Sequence, residues 1–492
     1  MPRPSPRLRA RTPRLLCLAL APLVASACSG AAPTAAAPRE ATPAPAAPAG
    51  SPLAATIPHR PPPAAAIAAL ADISPERMKR DVETLAGFGT RHTLSDTESK
   101  TRGIGAARRW IKAELEAAAA SSGRSGAEAM QVSFDSHRVE PDGKRVTRAV
   151  DVVNVVAILP GTMPRAAGRR YYVVGHYDSR RTDPLDATGD SPGANDDASG
   201  TAVVIELARV LSRHRFDATL VFMATAGEEQ GLLGAKGHAV AARAAGADIR
   251  GVLSNDIVGD PTSAIGAAHR DRVRVFSEAL PDPSTPEQIA ELRRVSGEGD
   301  TPSRQLARYV AEVAAWHDLA VQPQVILRYD RVLRGGDHLA FGAAGYPAVR
   351  FTVVDEHYDR QHQDVRSEGG VAFGDVPAFV DGPYLAGVAR VNGTALVHLA
   401  SAPSAPGDAR VVVAGLANDT TLRWSASPEP DVAGYEVLWR ETTSSFWQHS
   451  RDVGRTGEAH LPLNRDNWFF AVRAYDADGY RSPAAFPRMA DK

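Results

Sequence analysis

The sequence predicts an α/β domain, built on a mostly parallel mixed sheet with helices on both faces, and after it a small all-β sandwich. Three observations carry this. Short β-rich apolar runs at 152–159, 171–175, 219–224, 251–254 and 348–353 are separated by helical stretches, of which 198–211 and 305–315 are the clearest. Strands alternating with helices imply a parallel sheet covered on both sides. Composition then shifts at Ser401-Ala402-Pro403-Ser404-Ala405-Pro406-Gly407. Beyond this shift, alternating segments at 410–413, 421–424, 434–440 and 468–475 are spaced by turn residues, as in a β-sandwich.

Within the α/β part, Ser74-Pro75-Glu76 opens a first helix, with serine as N-cap and proline at the first helical position. A second amphipathic stretch covers 104–119. Before these lies a segment of 28–66 dominated by Ala and Pro, which has too few large apolar residues to bury a core and reads as an extended tether. The expected organisation is 1–27 signal, 28–66 linker, 67–400 α/β domain and 404–487 sandwich.

The start of the chain carries Arg3, Arg7, Arg9, Arg11 and Arg14, a short apolar run over 15–24, and Ala25-Ser26-Ala27-Cys28. A basic region, a short apolar region and an A-x-A site describe an export signal, and the run is too short to span a bilayer. The stretch resembles a bacterial lipoprotein signal, with Cys28 as the lipidated residue, although Ala25 stands where leucine is usual. The expected location is the periplasm, the outer membrane as a lipoprotein, or outside the cell. Cys17 and Cys28 are the two cysteines of the chain, so the body after the signal has no disulfide, thiol nucleophile or cysteine zinc site.

Lys plus Arg number 56 against 57 Asp plus Glu, so charge points to neither nucleic acid nor an anionic membrane. The hydrophobic share of 43% and charged share of 23% are those of a globular protein. The chemistry lies elsewhere, at the strand ends. In doubly wound sheets, ligands gather beyond the carboxyl ends of strands. His176 and Asp178 follow the run 171–175, Glu228 and Glu229 follow 219–224, and Asp256 follows 251–254. His357 and His362 come after 348–353, and Asn195-Asp196-Asp197 precede the helix at 198. Each residue alone has an ordinary structural use, such as capping a helix. Together they form a set of imidazoles and carboxylates without thiolates, which suits zinc in a hydrolytic site.

Six motifs occur in order: Gly175-His176-Tyr177-Asp178-Ser179, the 192–200 segment around Asn195-Asp196-Asp197, Gly227-Glu228-Glu229-Gln230-Gly231-Leu232, Asn255-Asp256, Gly336-Asp337-His338, and Gln361-His362-Gln363-Asp364. In these the chain resembles the co-catalytic two-zinc aminopeptidases, over about 73–397. Glutamate carboxypeptidases and glutaminyl cyclases are relatives of that fold. The resemblance implies a zinc exopeptidase fold and two zinc ions, with His176 on one, Asp196 bridging both, Glu229 and Asp256 on one each, and His362 completing the second. It implies a cis peptide at Asp196–Asp197, Asp178 as acceptor of the second His176 ring N–H, and Glu228 as the general base beside a metal-activated water. Asp337 and His338 match a motif near the substrate. Some relatives carry an oxyanion-stabilising tyrosine just upstream of that pair; here 331–336 has none, and Arg334 is the candidate instead.

The last 85 or so residues resemble a fibronectin type III domain, through Trp424, Asp431 to Tyr435 and the 469–475 segment. The leading expectation is a metallo-aminopeptidase acting on peptides. The alternatives are a carboxypeptidase or dipeptidase on the same scaffold, a glutaminyl cyclase, and an inactive binding protein whose tail is the working part. Expected partners are peptide substrates, a membrane through lipidated Cys28, and cell-surface or matrix material through the tail.

Overall fold

The computed structural model describes residues 65–280, 284–413 and 415–490. The export signal, Cys28 and the tether up to residue 64 lie outside the described residues. Among the described residues, no helix is long and apolar enough to cross a membrane.

The chain enters through helices α1 (Ala65–Ala69), α2 (Pro75–Gly87) and α3 (Gly103–Ala120). As expected, Ser74 caps α2 by accepting the Arg77 N–H at 3.2 Å, and Pro75 opens the helix. Eight strands follow in one mixed sheet: β1 (Gln131–Val139), β2 (Val150–Leu159), β3 (Arg169–His176), β4 (Thr219–Thr225), β5 (Asp248–Asn255), β6 (Arg272–Ser277), β7 (Gln322–Ile326) and β8 (Ala348–Thr352). Their spatial order is β1-β2-β4-β3-β5-β8-β6-β7. The central run β4-β3-β5-β8 is parallel; β2 joins it antiparallel on one side and β6 on the other.

A central parallel sheet must be apolar on both faces, and alternate residues of these strands divide cleanly. Tyr171, Val173, Leu220, Phe222 and Leu253 enter one core, while Tyr172, Val174, Val221, Met223 and Val252 enter the other. The larger core lies under α4 (Ser199–Leu211), which is buried nearly all round, as its sequence of Val, Ile, Leu and Ala requires. α5 (Leu233–Ala244) packs on the opposite face with α8 (Asp337–Ala343). α6 (Pro286–Arg294) lies near the periphery, α7 (Pro302–Trp316) covers β6, β7 and β8, and α9 (Gly382–Ser401) closes the larger core.

A hairpin of β9 (Arg366–Glu368) and β10 (Val371–Phe373) precedes α9. The tail forms two sheets. One has the order β15-β12-β11-β17, from β11 (Gly407–Val412), β12 (Thr420–Ser425), β15 (Glu458–Leu461) and β17 (Arg488–Met489); the other is β14-β13-β16, from β13 (Val432–Glu441), β14 (His449–Gly454) and β16 (Trp468–Asp476). Trp424, Tyr435, Val437, Leu461 and Val472 fill the core between them. This unit is bound to α7 and the turn before it by polar contacts: Arg473 pairs with Glu312 of the helix at 2.7 Å and Arg440 with Asp300 of the turn at 2.7 Å.

One buried acid in α2 makes stability depend on pH. Asp81 is 6% exposed, and its Oδ2 has no hydrogen-bond partner. Burial raises its pKa to about 7, against the pull of Arg77. A carboxyl whose folded pKa is raised binds more protons folded than unfolded, so it withdraws stability as pH rises from its unfolded value to about 7. Asp81→Asn is therefore expected to raise stability by on the order of 1–2 kcal/mol at pH 8 and hardly at all at pH 4. Urea unfolding at both pH values checks this; an equal gain at both would contradict it.

Candidate metal centre

The carboxyl ends of the parallel strands carry the site. His176 is the last residue of β3; Glu228 and Glu229 lie just past β4; Asp256 directly follows β5. His362 comes from the loop after β8, with its backbone in the left-handed region at φ 54°. Asp196 sits in the irregular turn leading into α4, and its peptide bond to Asp197 is cis, as the resemblance implies. The close fit of these segments needs glycine twice. A Cβ on Gly175 would lie 2.4 Å from the Gly200 carbonyl carbon, and one on Gly200 would lie 2.3 Å from the Asn255 oxygen.

All five expected ligands meet here. His176, Asp196 and Asp256 form one group, Asp196, Glu229 and His362 a second, and within each the donor atoms lie within 4.8 Å of one another. Asp196 belongs to both and turns one oxygen to each: Oδ1 lies 3.1 Å from His176 Nε2, and Oδ2 lies 2.8 Å from His362 Nε2. His362 Nε2 is also 3.0 Å from Glu229 Oε1, and His176 Nε2 is 3.9 Å from Asp256 Oδ1. His176 Nε2 and Glu229 Oε1 are buried and, close as they lie to Asp196 and His362, neither makes a well-directed hydrogen bond. Leaving such atoms unpaired costs about 1–3 kcal/mol each, which coordination to a cation would remove. His357 belongs to neither group.

The electrostatics agree with a cation site. Burial works against charge on Asp196, yet His362 and His176 outweigh it and hold the carboxyl well below its usual range. Burial lowers His362, but Glu229 and Asp196 push it up to about 9. Acids that hold protons on buried imidazoles exert the same pull on a divalent ion. Burial, reinforced by Asp256 and Glu229 against the opposing pull of His176, raises the Glu228 carboxyl well above the usual carboxylate range.

A scaffold of polar residues fixes the donors, and most of it is invisible to strand-end reasoning. Asp197 accepts the N–H groups of His176 (3.0 Å), Gly200 (2.8 Å) and Ile257 (3.3 Å), tying three ligand-bearing segments together. Asp375, some 180 residues away, accepts the N–H groups of Asn195 and Asp196. Gln361 Nε2 donates to Asp196 Oδ2 at 2.8 Å. Arg350, fully buried, reaches Asp256 Oδ1 at 2.8 Å, and Arg180 Nε donates to Glu229 Oε2 at 2.9 Å. The sequence carried one signal for the first of these, the doubled acid at Asp196-Asp197.

Three expectations need correction. The Asp178 carboxylate is 3.6 Å from His176 Nδ1, and its main-chain carbonyl, at 3.2 Å, is the acceptor within hydrogen-bond range. The carboxylate instead accepts the N–H groups of Glu228 and Glu229, both at 3.2 Å, and so shapes the turn that presents them. Asp337 and His338 do not line the cleft: they are 2% and 1% exposed, with Asp337 bonded to Thr225 and His338 Nε2 to the Tyr329 carbonyl at 2.8 Å. Both sit in the first turn of α8, which packs against α5, β3, β5 and β8. Arg334 does line the cleft, with Glu228, both candidate metal groups' acids, Arg145, Arg180, Arg331 and Leu333.

Imidazole and carboxylate donors at the strand ends of such a sheet, opening on a cleft, define a metal-dependent hydrolase. The model of peptidase family M28 matches residues 154–368. A probable zinc metalloprotease of Leptosphaeria maculans is 44% identical over 430 residues, covering 87% of this chain and 98% of its own. Another, of Pyricularia oryzae, is 43% identical over 445 residues, covering 89% and 87%. The crystal structure of the Legionella pneumophila LapA aminopeptidase aligns with 68% of this chain and 74% of its own, at 18% identity and a TM-score of 0.49. The chain belongs to peptidase family M28.

Proposed function

We propose that this member of the family is a zinc-dependent aminopeptidase that holds two zinc ions and releases single residues from free peptide N-termini. The observation that carries the reading is the shared aspartate: Asp196 offers one oxygen to each of two donor groups. His176 and Asp256 would hold one ion, Glu229 and His362 the other, and Asp196 both. Zinc bound there supplies a Lewis acid for the scissile carbonyl and acidifies a water. Glu228 lines the same cleft and stands outside both groups, so it is free to take a proton and return it to the leaving nitrogen. Asp178 holds the Glu228 main chain in place for this, and Arg180 and Gln361 keep Glu229 and Asp196 oriented.

The cleft holds ≈ 200 Å³. The exopeptidase reading, like the preference for the N-terminus, comes from the motif resemblance. The basic start of the chain, its short apolar run and the Ala25-Ser26-Ala27-Cys28 site support export with lipidation at Cys28. The tail, similar in sequence pattern to fibronectin type III, would then carry contacts to cell-surface or matrix material.

Mass spectrometry of a hexapeptide after incubation tests the reading. The expected products are single residues from the free N-terminus, none from the N-acetylated peptide, with activity removed by chelation and restored by zinc. Shortening of the acetylated peptide from its C-terminus would replace the aminopeptidase by a carboxypeptidase, and a cyclised product would replace it by a glutaminyl cyclase.

A further inference from the structure

The cleft is lined by acids and by four arginines, Arg145, Arg180, Arg331 and Arg334, and their positive charges are unequally answered. Arg331 is fully engaged: Nε bonds Asp330, Nη1 bonds Glu356 and Nη2 bonds the Gly335 carbonyl. Arg180 is taken up by Glu229 and His362. Arg334 differs. It reaches Glu356 at 3.3 Å, but Arg331 (2.7 Å) and Arg274 (3.2 Å) draw on the same carboxylate. Glu356 thus serves three guanidinium groups, of which Arg331 also has Asp330, and the shorter partner of Arg334 is the neutral Gln361 oxygen at 2.9 Å.

Arg145 is answered still less. Its side chain donates Nη1 to a main-chain carbonyl, that of Glu229, at 3.1 Å, and no ion pair to a carboxylate is found for it among the described residues. It is half-buried, and the loop that carries it is rigidly shaped. Asp142 Oδ1 accepts the N–H groups of Lys144, Arg145 and Val146 at 2.8, 2.9 and 2.8 Å. The arginine is therefore held against the very turn that carries Glu228 and Glu229. An arginine placed only to balance the acids of the cleft would point its guanidinium at a carboxylate, as Arg180 and Arg350 do.

We propose that Arg145 and Arg334 form a carboxylate-binding subsite, so that this enzyme prefers peptides bearing a carboxylate on a residue next to the scissile bond. Guanidinium forks bind carboxylates in paired, charge-assisted hydrogen bonds, and a cleft bounded by uncompensated positive charge concentrates anionic substrates. Two sources present that group. It is the side chain of an N-terminal Asp or Glu, or the α-carboxylate of a C-terminal residue just beyond the bond. The inference rests on the proposed peptidase reading, and it deepens that reading by naming a substrate class.

The test uses the zinc-loaded, full-length mature enzyme and two ratios of kcat/KM. The first compares Glu with Gln p-nitroanilide. The second compares Leu-Ala with Leu-Ala amide. At least one ratio is expected to exceed tenfold and to shrink as salt is raised, the first identifying a side-chain carboxylate and the second an α-carboxylate. In Arg145→Gln or Arg334→Gln that ratio should fall towards one, because the charged hydrogen bond that sets it is lost, with Arg145→Lys recovering part of it. Both ratios near one in the wild type, or ratios unchanged in both Gln variants, would overturn the subsite. Efficient release of Leu without either preference would do so while leaving the aminopeptidase reading intact. Cleavage confined to N-blocked peptides with a free C-terminus would instead remove the aminopeptidase reading and keep the subsite.

Discussion

Glu228→Gln is expected to lower kcat by roughly 10²–10⁴-fold, the usual share of a general acid–base group, while zinc content stays that of the wild type. The reason is positional. Glu228 lines the cleft beside Glu229 but belongs to neither donor group, so its loss removes a proton carrier and no ligand. Glutamine keeps its size, and its main-chain N–H to Asp178 at 3.2 Å is unaffected, so the turn should stand. Metal analysis and steady-state kinetics on the same preparation decide the matter. Near-normal turnover would show that another group moves the proton, and lost zinc would show that Glu228 is itself a ligand.

The second large effect concerns Asp196. Its two oxygens face different histidines, so Asp196→Ala should empty both sites together. Activity is expected to fall by at least about 10³-fold, ~4 kcal/mol of transition-state stabilisation. His362→Ala and Asp256→Ala each strip one donor group and leave the other complete, so each should retain one of the two ions. Zinc measured by plasma emission after gel filtration gives the comparison directly. An Asp196→Ala protein that still carried as much zinc as the two single-group variants would mean that Asp196 does not bridge. Circular dichroism of the same sample controls for folding, because Asp196 also accepts from Gln361.

Much of this site is legible in the sequence because of where β-strands end. Apolar runs such as 171–175 and 219–224 must be buried on both faces, so the first polar residues after them emerge at the sheet edge where ligands gather. The places of His176, Glu229 and Asp256 at the sheet edge follow from that logic, while their roles as ligands follow from the motif resemblance. His362 follows the run 348–353 at a distance and Asp196 precedes a helix, and for both the ligand role is legible through their motifs. The supporting residues are harder to read. Asp375 and Arg350 act on Asp196 and Asp256 from distant parts of the chain, and nothing local in their neighbourhoods announces it. Asp337-His338 shows the converse: the motif is present, but both side chains are buried and bonded to Thr225 and the Tyr329 carbonyl, outside the cleft lining.

The fold was legible to a similar degree. Unbroken apolar runs mark their strands to within a few residues, whereas β1, whose residues are all exposed or half-buried, gives no run to find. β6 reads Arg-Val-Arg-Val-Phe-Ser, a short alternation inside a segment otherwise lacking pattern. α9 contains Gly382, Gly387 and Gly393, which lower its intrinsic helix propensity, and burial in the larger core is what stabilises it. Tertiary packing decided these elements, and it leaves little local trace.

The most direct test of the central claim is anomalous diffraction at the zinc edge from crystals of the mature protein grown with zinc. The account predicts two peaks roughly 3.5–4 Å apart, with the Asp196 carboxylate between them, His176 and Asp256 beside one, and Glu229 and His362 beside the other. A single peak, or two peaks without Asp196 between them, would contradict it.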